Sequence, residues 1–285
     1  MPPETKSRLY VLAAAVLFST GGAAIKATSL TGWQVAGLRS GFAALTIALV
    51  LPPARASWTP RIALIGLLYT VMTVSFSLAN KLTTAANAIF LQDSAPFYLI
   101  LLGPWLLKER AKPADGLFLL LMATGAALFF LGDQATYATA PNPRLGNMLG
   151  LLCSVAWATV IAILRYMERS GARGEPGMAV VMSGNATSFL LCLGFALPLA
   201  ATPKDWAIVA YLGCIQIAAG YVLLTRGVRG ITALEASLLI LAEPTFSPIW
   251  AWMLHGEKPG RLALAGGALI LGSTVARVAL ASRKA

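Results

Sequence analysis

The chain has 285 residues, 58% of them hydrophobic and only 12% charged, with a mean hydropathy of +0.74. Average soluble domains carry about 25% charged residues, so this balance excludes a soluble globule and fits a polytopic membrane protein. The net charge of +11 would point to nucleic acid in a soluble chain; no basic, aromatic-interleaved stretch is present, and an excess of Lys and Arg in cytoplasmic loops explains it better.

Apolar runs predict ten transmembrane helices, near 9–27, 33–51, 61–80, 87–107, 115–132, 146–165, 178–200, 206–225, 235–254 and 261–281. Each has the roughly 17–25 residues that a crossing needs. The first, KSRLYVLAAAVLFSTGGAAIKA, imitates a signal peptide; with so many segments behind it, it reads as a retained helix. The second carries Gly37-x-x-x-Gly41 and the sixth Gly146-x-x-x-Gly150, spacings that permit close helix contact within the chain or between copies.

The third segment places Tyr69, Thr73, Phe76 and Asn80 on one face, at spacings of four, three and four. A polar face in a membrane points inward. The fourth holds Phe90, Gln92, Asp93, Pro96 and Phe97. A carboxylate at membrane depth costs about 2.5–3.5 kcal/mol on insertion scales, so Asp93 needs a partner, a polar cavity or a proton. Trp157 lies in the sixth segment, Gln216, Gly220 and Tyr221 in the eighth, and Glu243 just before Pro244 in the ninth. For any one aromatic, packing is the simpler explanation; the clustering of polar groups on the third, fourth and eighth segments singles out the set. Pro96 and Pro244 each remove a backbone hydrogen bond inside a helix, with Pro104 and Pro248 as further breaks.

Cys153, Cys192 and Cys214 all fall in apolar segments and read as small core residues, not disulfide partners. His255 is the single histidine, and no cluster has metal-ligand spacing. No nucleophile–base pair and no P-loop pattern is present, so the expectation is a protein with no catalytic residues, no metal and no cofactor.

With the N-terminus inside, 15 Lys and Arg fall on the inner side and 7 on the outer, which supports cytoplasmic termini and an even helix count. Lys26, Arg39 and Lys81 are among the outer seven. Glu109 and Glu257 close helices beside basic residues and read as structural ion-pair partners.

The two halves resemble each other. TAANAIFLQDSAPFYLILLGPWLLKER from Thr84 aligns without gaps on TALEASLLILAEPTFSPIWAWMLHGEK from Thr232, matching Pro96 to Pro244 and Glu109 to Glu257. LFSTGGAAIK aligns with AWATVIAILR, matching Phe18 to Trp157 and Lys26 to Arg165. Residues 1–140 and 141–285 then form two five-helix units, and an odd number of helices forces the second to enter the membrane inverted. Inverted repeats accompany alternating access around a central site.

These Pro-centred helices ending in Glu-Arg or Glu-Lys, in both halves, resemble the EamA family of the drug/metabolite transporter superfamily over essentially the whole chain. The resemblance implies ten helices, cytoplasmic termini, a central cavity lined mainly by helices one, three, four, six, eight and nine, and export or exchange of small metabolites. Asp93 departs from it, standing where a neutral polar or aromatic residue is expected. Ala95 holds the place that Glu243 has in the second half.

The expected function is a secondary transporter in the cell inner membrane, moving small amphipathic, amino-acid-like solutes, with protons as a candidate coupling ion. The expected binding residues are Asp93, Gln92, Tyr69, Thr73, Asn80, Phe97, Trp157, Gln216, Tyr221 and Glu243. The expected partners are a small-molecule metabolite and the lipid bilayer, with the chain a monomer or weak homodimer. The alternatives are a broad-specificity drug or cation efflux carrier and a non-transporting structural or sensor protein.

Overall fold

The computed structural model describes residues 2–107, 113–131, 138–169 and 174–282. Those residues are nearly all helical, with helix at each of the ten predicted places. Seven stretches, among them Pro3–Lys26, Pro60–Leu82 and Pro203–Gly230, are long and apolar enough to cross a bilayer. The chain is therefore a multi-pass membrane protein. Lys108, Arg110, Lys112, Arg173, Arg283 and Lys284, counted on the inner side, and Glu109, expected as an ion-pair partner, lie outside the described residues.

Local chemistry sets the helix starts. α1 (Pro3–Ser19) and α2 (Gly21–Lys26) meet at Thr20, whose hydroxyl donates to the Leu17 carbonyl and lies 2.8 Å from the Tyr211 hydroxyl. α3 (Gly32–Val50) opens on a capping box between Thr31 and Gln34, and the short α4 (Pro52–Ala56) follows it. α5 (Pro60–Leu82) is capped by Thr59 with Pro60 in its first turn, where a proline costs no hydrogen bond.

The next span is interrupted. α6 (Ala85–Gln92) stops at Asp93, and α7 (Ala95–Leu102) restarts with Pro96 in its first turn before a π-helical stretch, Gly103–Leu107. The ninth predicted helix divides in the same way into α13 (Ala233–Ile240) and α14 (Ala242–His255). Thr84 caps α6 and Thr232 caps α13, so the aligned threonines do the same work. Proline has no N–H for the carbonyl four residues earlier. Pro96 thus leaves the Gln92 carbonyl without its helical donor, and Pro244 does so for Ile240, at the last residue of α6 and of α13.

α8 (Pro113–Leu131), α9 (Pro143–Arg169) and α10 (Pro176–Leu193) are continuous. The span after them runs through α11 (Pro203–Ala210), a nine-residue π-helical stretch, Tyr211–Ala219, and α12 (Gly220–Gly227). α15 (Arg261–Ser282) ends the bundle. The seventh predicted helix stops at Leu193 instead of residue 200, where Gly194 caps it and Pro198 follows.

Large apolar side chains such as Leu49, Leu64, Leu117 and Leu190 face outward, as lipid requires, while alanines including Ala14, Ala36, Ala43 and Ala158 fill the interior. α5 packs on α9 and α1 on α12; α10 packs on α5 and α3 on the Tyr211–Ala219 stretch; α3 pairs with α10 and α8 with α15. Both glycine motifs serve these contacts. A Cβ on Gly37 or Gly41 would strike Cys192 or Phe189 of α10, and one on Gly146 would strike Thr83.

The two ends of the bundle differ. At one, the Lys26 Nζ lies 2.8 Å from Glu257 Oε1, with side chains 0% and 2% exposed. Lys26 also donates to the carbonyls of Thr83 and Thr139, while Glu257 accepts from the Ala85 N–H and the Thr139 hydroxyl. The Asp205 carboxylate accepts from the backbone N–H and hydroxyl groups of both Ser29 and Thr202 at the same end. At the other, Arg8 pairs with Glu235 at 2.7 Å with side chains 48% and 35% exposed, and Arg229 pairs with Glu175.

Candidate functional site

Between these ends lies a cavity of about 190 Å³, smaller than the roughly 300–1,000 Å³ of drug-sized pockets and on the scale of a small solute. It brings together eight of the ten residues singled out in the sequence. Tyr69 and Thr73 enter from α5, Gln92 and Asp93 from the end of α6, and Trp157 from α9. Gln216 comes from the π-helical stretch, Tyr221 from α12 and Glu243 from α14. Phe18, Phe76, Ile240 and Pro244 complete much of the apolar wall.

Both interrupted spans put their breaks here. Gln92 and Asp93 at the first break and Ile240 and Leu241 at the second all line the cavity. Asp93 Oδ2 is buried with no hydrogen-bond partner among the described residues. Gln92 Oε1 lies 3.4 Å from the Cys153 thiol. The Phe18 and Tyr221 rings stand 5.1 Å apart and the Tyr69 and Tyr221 rings 6.3 Å, giving an aromatic corner. The Gln216 amide nitrogen donates to the Phe18 carbonyl at 3.4 Å, and its Oε1 is unpartnered.

Asn80 and Phe97 are not in the cavity wall. Asn80 sits one turn beyond Phe76, about 6 Å along the axis, in the packed end near Gly22, and donates to the Phe76 carbonyl at 2.9 Å. Phe97 follows the helix break, so the spacing of four from Asp93 no longer sets its direction; its ring packs against Tyr98.

The residue that sequence reasoning missed is Arg39. Counted with the outer loops, it stands in the middle of α3, 3% exposed, in the cavity wall. Its Nη2 donates to the Thr73 hydroxyl at 2.7 Å and the Thr73 carbonyl at 3.0 Å, and its guanidinium lies 5.7 Å from the Phe76 ring centre. Its Nε has no acceptor, and no ion pair to Arg39 is found among the described residues. The signal available in the sequence was an arginine seven residues inside an apolar run, flanked by no proline and no other charge. Lys26 is also buried, at the end of its helix, and Lys81 is half-buried, donating to the Thr28 carbonyl at 2.8 Å and its hydroxyl at 3.0 Å.

The cavity therefore holds two carboxylates and one guanidinium between aromatic walls. Such a site can bind a small organic ion, and the described residues bring together no cluster of three or more metal-ligating side chains.

The EamA-like transporter family model matches residues 5–131 and 144–277. The pseudopaline exporter CntI of Pseudomonas aeruginosa (strain UCBPP-PA14) is 25% identical over 97% of this chain and 96% of its own. A probable terminal-alkyne amino-acid exporter of Streptantibioticus cattleyicolor is 27% identical over 84% of this chain and 82% of its own. A solved crystal structure superposes with a TM-score of 0.66 at 21% identity, covering 97% of each chain, which establishes the shared fold. By its match over both halves, the chain belongs to the EamA-like transporter family.

Proposed function

We propose that this protein is a secondary transporter that exports or exchanges small amphipathic, amino-acid-like solutes by alternating access, and is not an enzyme. The observation that carries the reading is the central cavity, where Asp93, Glu243 and Arg39 meet an aromatic corner at membrane depth. Ionisable groups there are costly and mark substrate or proton paths. The two exporter names among the relatives, one for an amino acid, agree with that chemistry. A buried Arg39 in the wall argues against a carrier for bare cations.

Two inverted repeats, residues 1–140 and 141–285, supply the moving parts. Exchanging the first five predicted helices for the last five maps the helix pairings onto themselves: α5 on α9 becomes α12 on α1, and α10 on α5 becomes α3 on the Tyr211–Ala219 stretch. Both broken helices meet at the cavity, the arrangement in which half-helices bind solutes in such carriers. One chain builds the whole site, so a monomer suffices. Removing Arg39, which stands mid-helix, from the outer side leaves six outer basic residues against 15, which favours cytoplasmic termini and an inner-membrane protein with its Lys26 end outward.

Asp93, with Glu243 assisting, binds the solute's ammonium group or carries an exchanged proton. The test is transport of labelled metabolites in proteoliposomes, with and without a pH gradient. We expect wild-type uptake that collapses or loses its pH response in Asp93→Asn. Unchanged uptake in the variant would make Asp93 a structural acid, and no uptake by the wild type would sink the transporter reading.

A further inference from the structure

We propose that Arg39 is the carboxylate-binding pole of the cavity, so that the transported solute is a zwitterion held by its carboxylate on Arg39 and by its ammonium on Asp93 and Glu243. The proposal rests on the transporter reading and deepens it. A guanidinium has five N–H donors in a fixed fork that matches a carboxylate. Thr73 occupies only Nη2, through its hydroxyl at 2.7 Å and its carbonyl at 3.0 Å, and so fixes the plane of the fork. The Nε–H is buried and without an acceptor, an arrangement that natural interiors rarely leave uncompensated. Neither internal carboxylate is ion-paired with Arg39 among the described residues, although all three groups line one cavity. Asp93 Oδ2 is likewise without a donor. Two groups of opposite charge that line one cavity, each with a hydrogen-bonding atom no described residue satisfies, are complementary to a solute bearing both charges. Phe18, Trp157 and Tyr221, which line the same cavity, suit an apolar side chain.

The experiment is counterflow in proteoliposomes with labelled phenylalanine, leucine, methionine and threonine. Each is set against its amide, which keeps the ammonium and loses the carboxylate, and its N-acetyl derivative, which does the reverse. For the amino acid that the wild type moves best, both derivatives should compete at least tenfold more weakly than the free amino acid. Arg39→Gln should raise the half-saturation concentration at least tenfold while leaving the amide's inhibition constant unchanged. Where Arg39→Gln does not yield a monodisperse protein, the wild-type comparison decides, together with Arg39→Lys, which keeps the charge and loses the fork.

An amide that competes as well as the free amino acid overturns the proposal and leaves the transporter standing. So does an Arg39→Gln protein with unchanged half-saturation. A folded variant that loses free amino acid and amide alike makes Arg39 a counter-ion of the acids and also overturns it. Failure to move any of the four amino acids removes this zwitterion proposal, and movement of other labelled metabolites then separates it from the transporter reading.

Discussion

Thr73 and Arg39 act as one unit, because the threonine offers its hydroxyl and its carbonyl to the same nitrogen. Thr73→Val keeps the shape and removes one acceptor from a charged donor, an interaction worth about 1.5–3 kcal/mol. The expected result is a Tm lowered by a few degrees in detergent and a weaker half-saturation for transport, with Thr73→Ser restoring both. Equal Tm and affinity in Thr73→Val would mean that the carbonyl alone holds Arg39. Tyr69, Thr73 and Asp93 were legible in the sequence because a polar group in an apolar run is conspicuous and its helical spacing gives its face. Arg39 was hidden because a tally by side of the membrane treats every cation as a loop charge. Phe97 was misdirected because spacing arguments assume an unbroken helix.

Among the elements, the α6–α7 and α13–α14 joints are the ones a single substitution can close. Pro96 is tolerated in the first turn of α7 but blocks continuation from α6, and Pro96→Ala offers an N–H to the Gln92 carbonyl that would let one helix run through the joint. We expect a higher Tm and a lower transport turnover, measured on the same preparation, and the same pair of effects for Pro244→Ala. Unchanged turnover with a higher Tm would make the joints static kinks. Pro96 and Pro244 announced these joints in the sequence. The π-helical stretch Tyr211–Ala219 did not: no residue type marks a bond to the fifth residue along, although Gly213 and Gly220 allow close approach to α3 and Phe18 there.

For the whole molecule, the contrast between the ends is the informative feature. Lys26 and Glu257 are sealed from solvent, whereas Arg8–Glu235 is open to it. Removing one member of a buried pair leaves a bare charge, at about 3–5 kcal/mol. Lys26→Ala should therefore unfold at markedly lower temperature, while Lys26→Met combined with Glu257→Gln loses less. In the double variant, a Trp157→Cys label in a background without native cysteines should react faster with a membrane-impermeant maleimide from the Lys26 end. An unchanged labelling rate would mean that this pair does not hold that end shut. The all-helical membrane class and the family were readable from hydropathy and the repeated Pro-centred helix. Which end is sealed was not, since it depends on Lys26 reaching Glu257 across 231 positions of sequence.

Gly213 touches nothing in the cavity, yet a Cβ there would come within 2.4 Å of the Arg39 carbonyl and of the Phe42 Cβ. Neither neighbour is the free end of a flexible side chain, so α3 or the Tyr211–Ala219 stretch would have to shift. A single methyl group behind the wall would thus press on the backbone that carries Arg39 without altering any charge. Relatives can diverge in what they carry through substitutions at such a hidden small residue, and a survey confined to cavity-facing positions would overlook the cause.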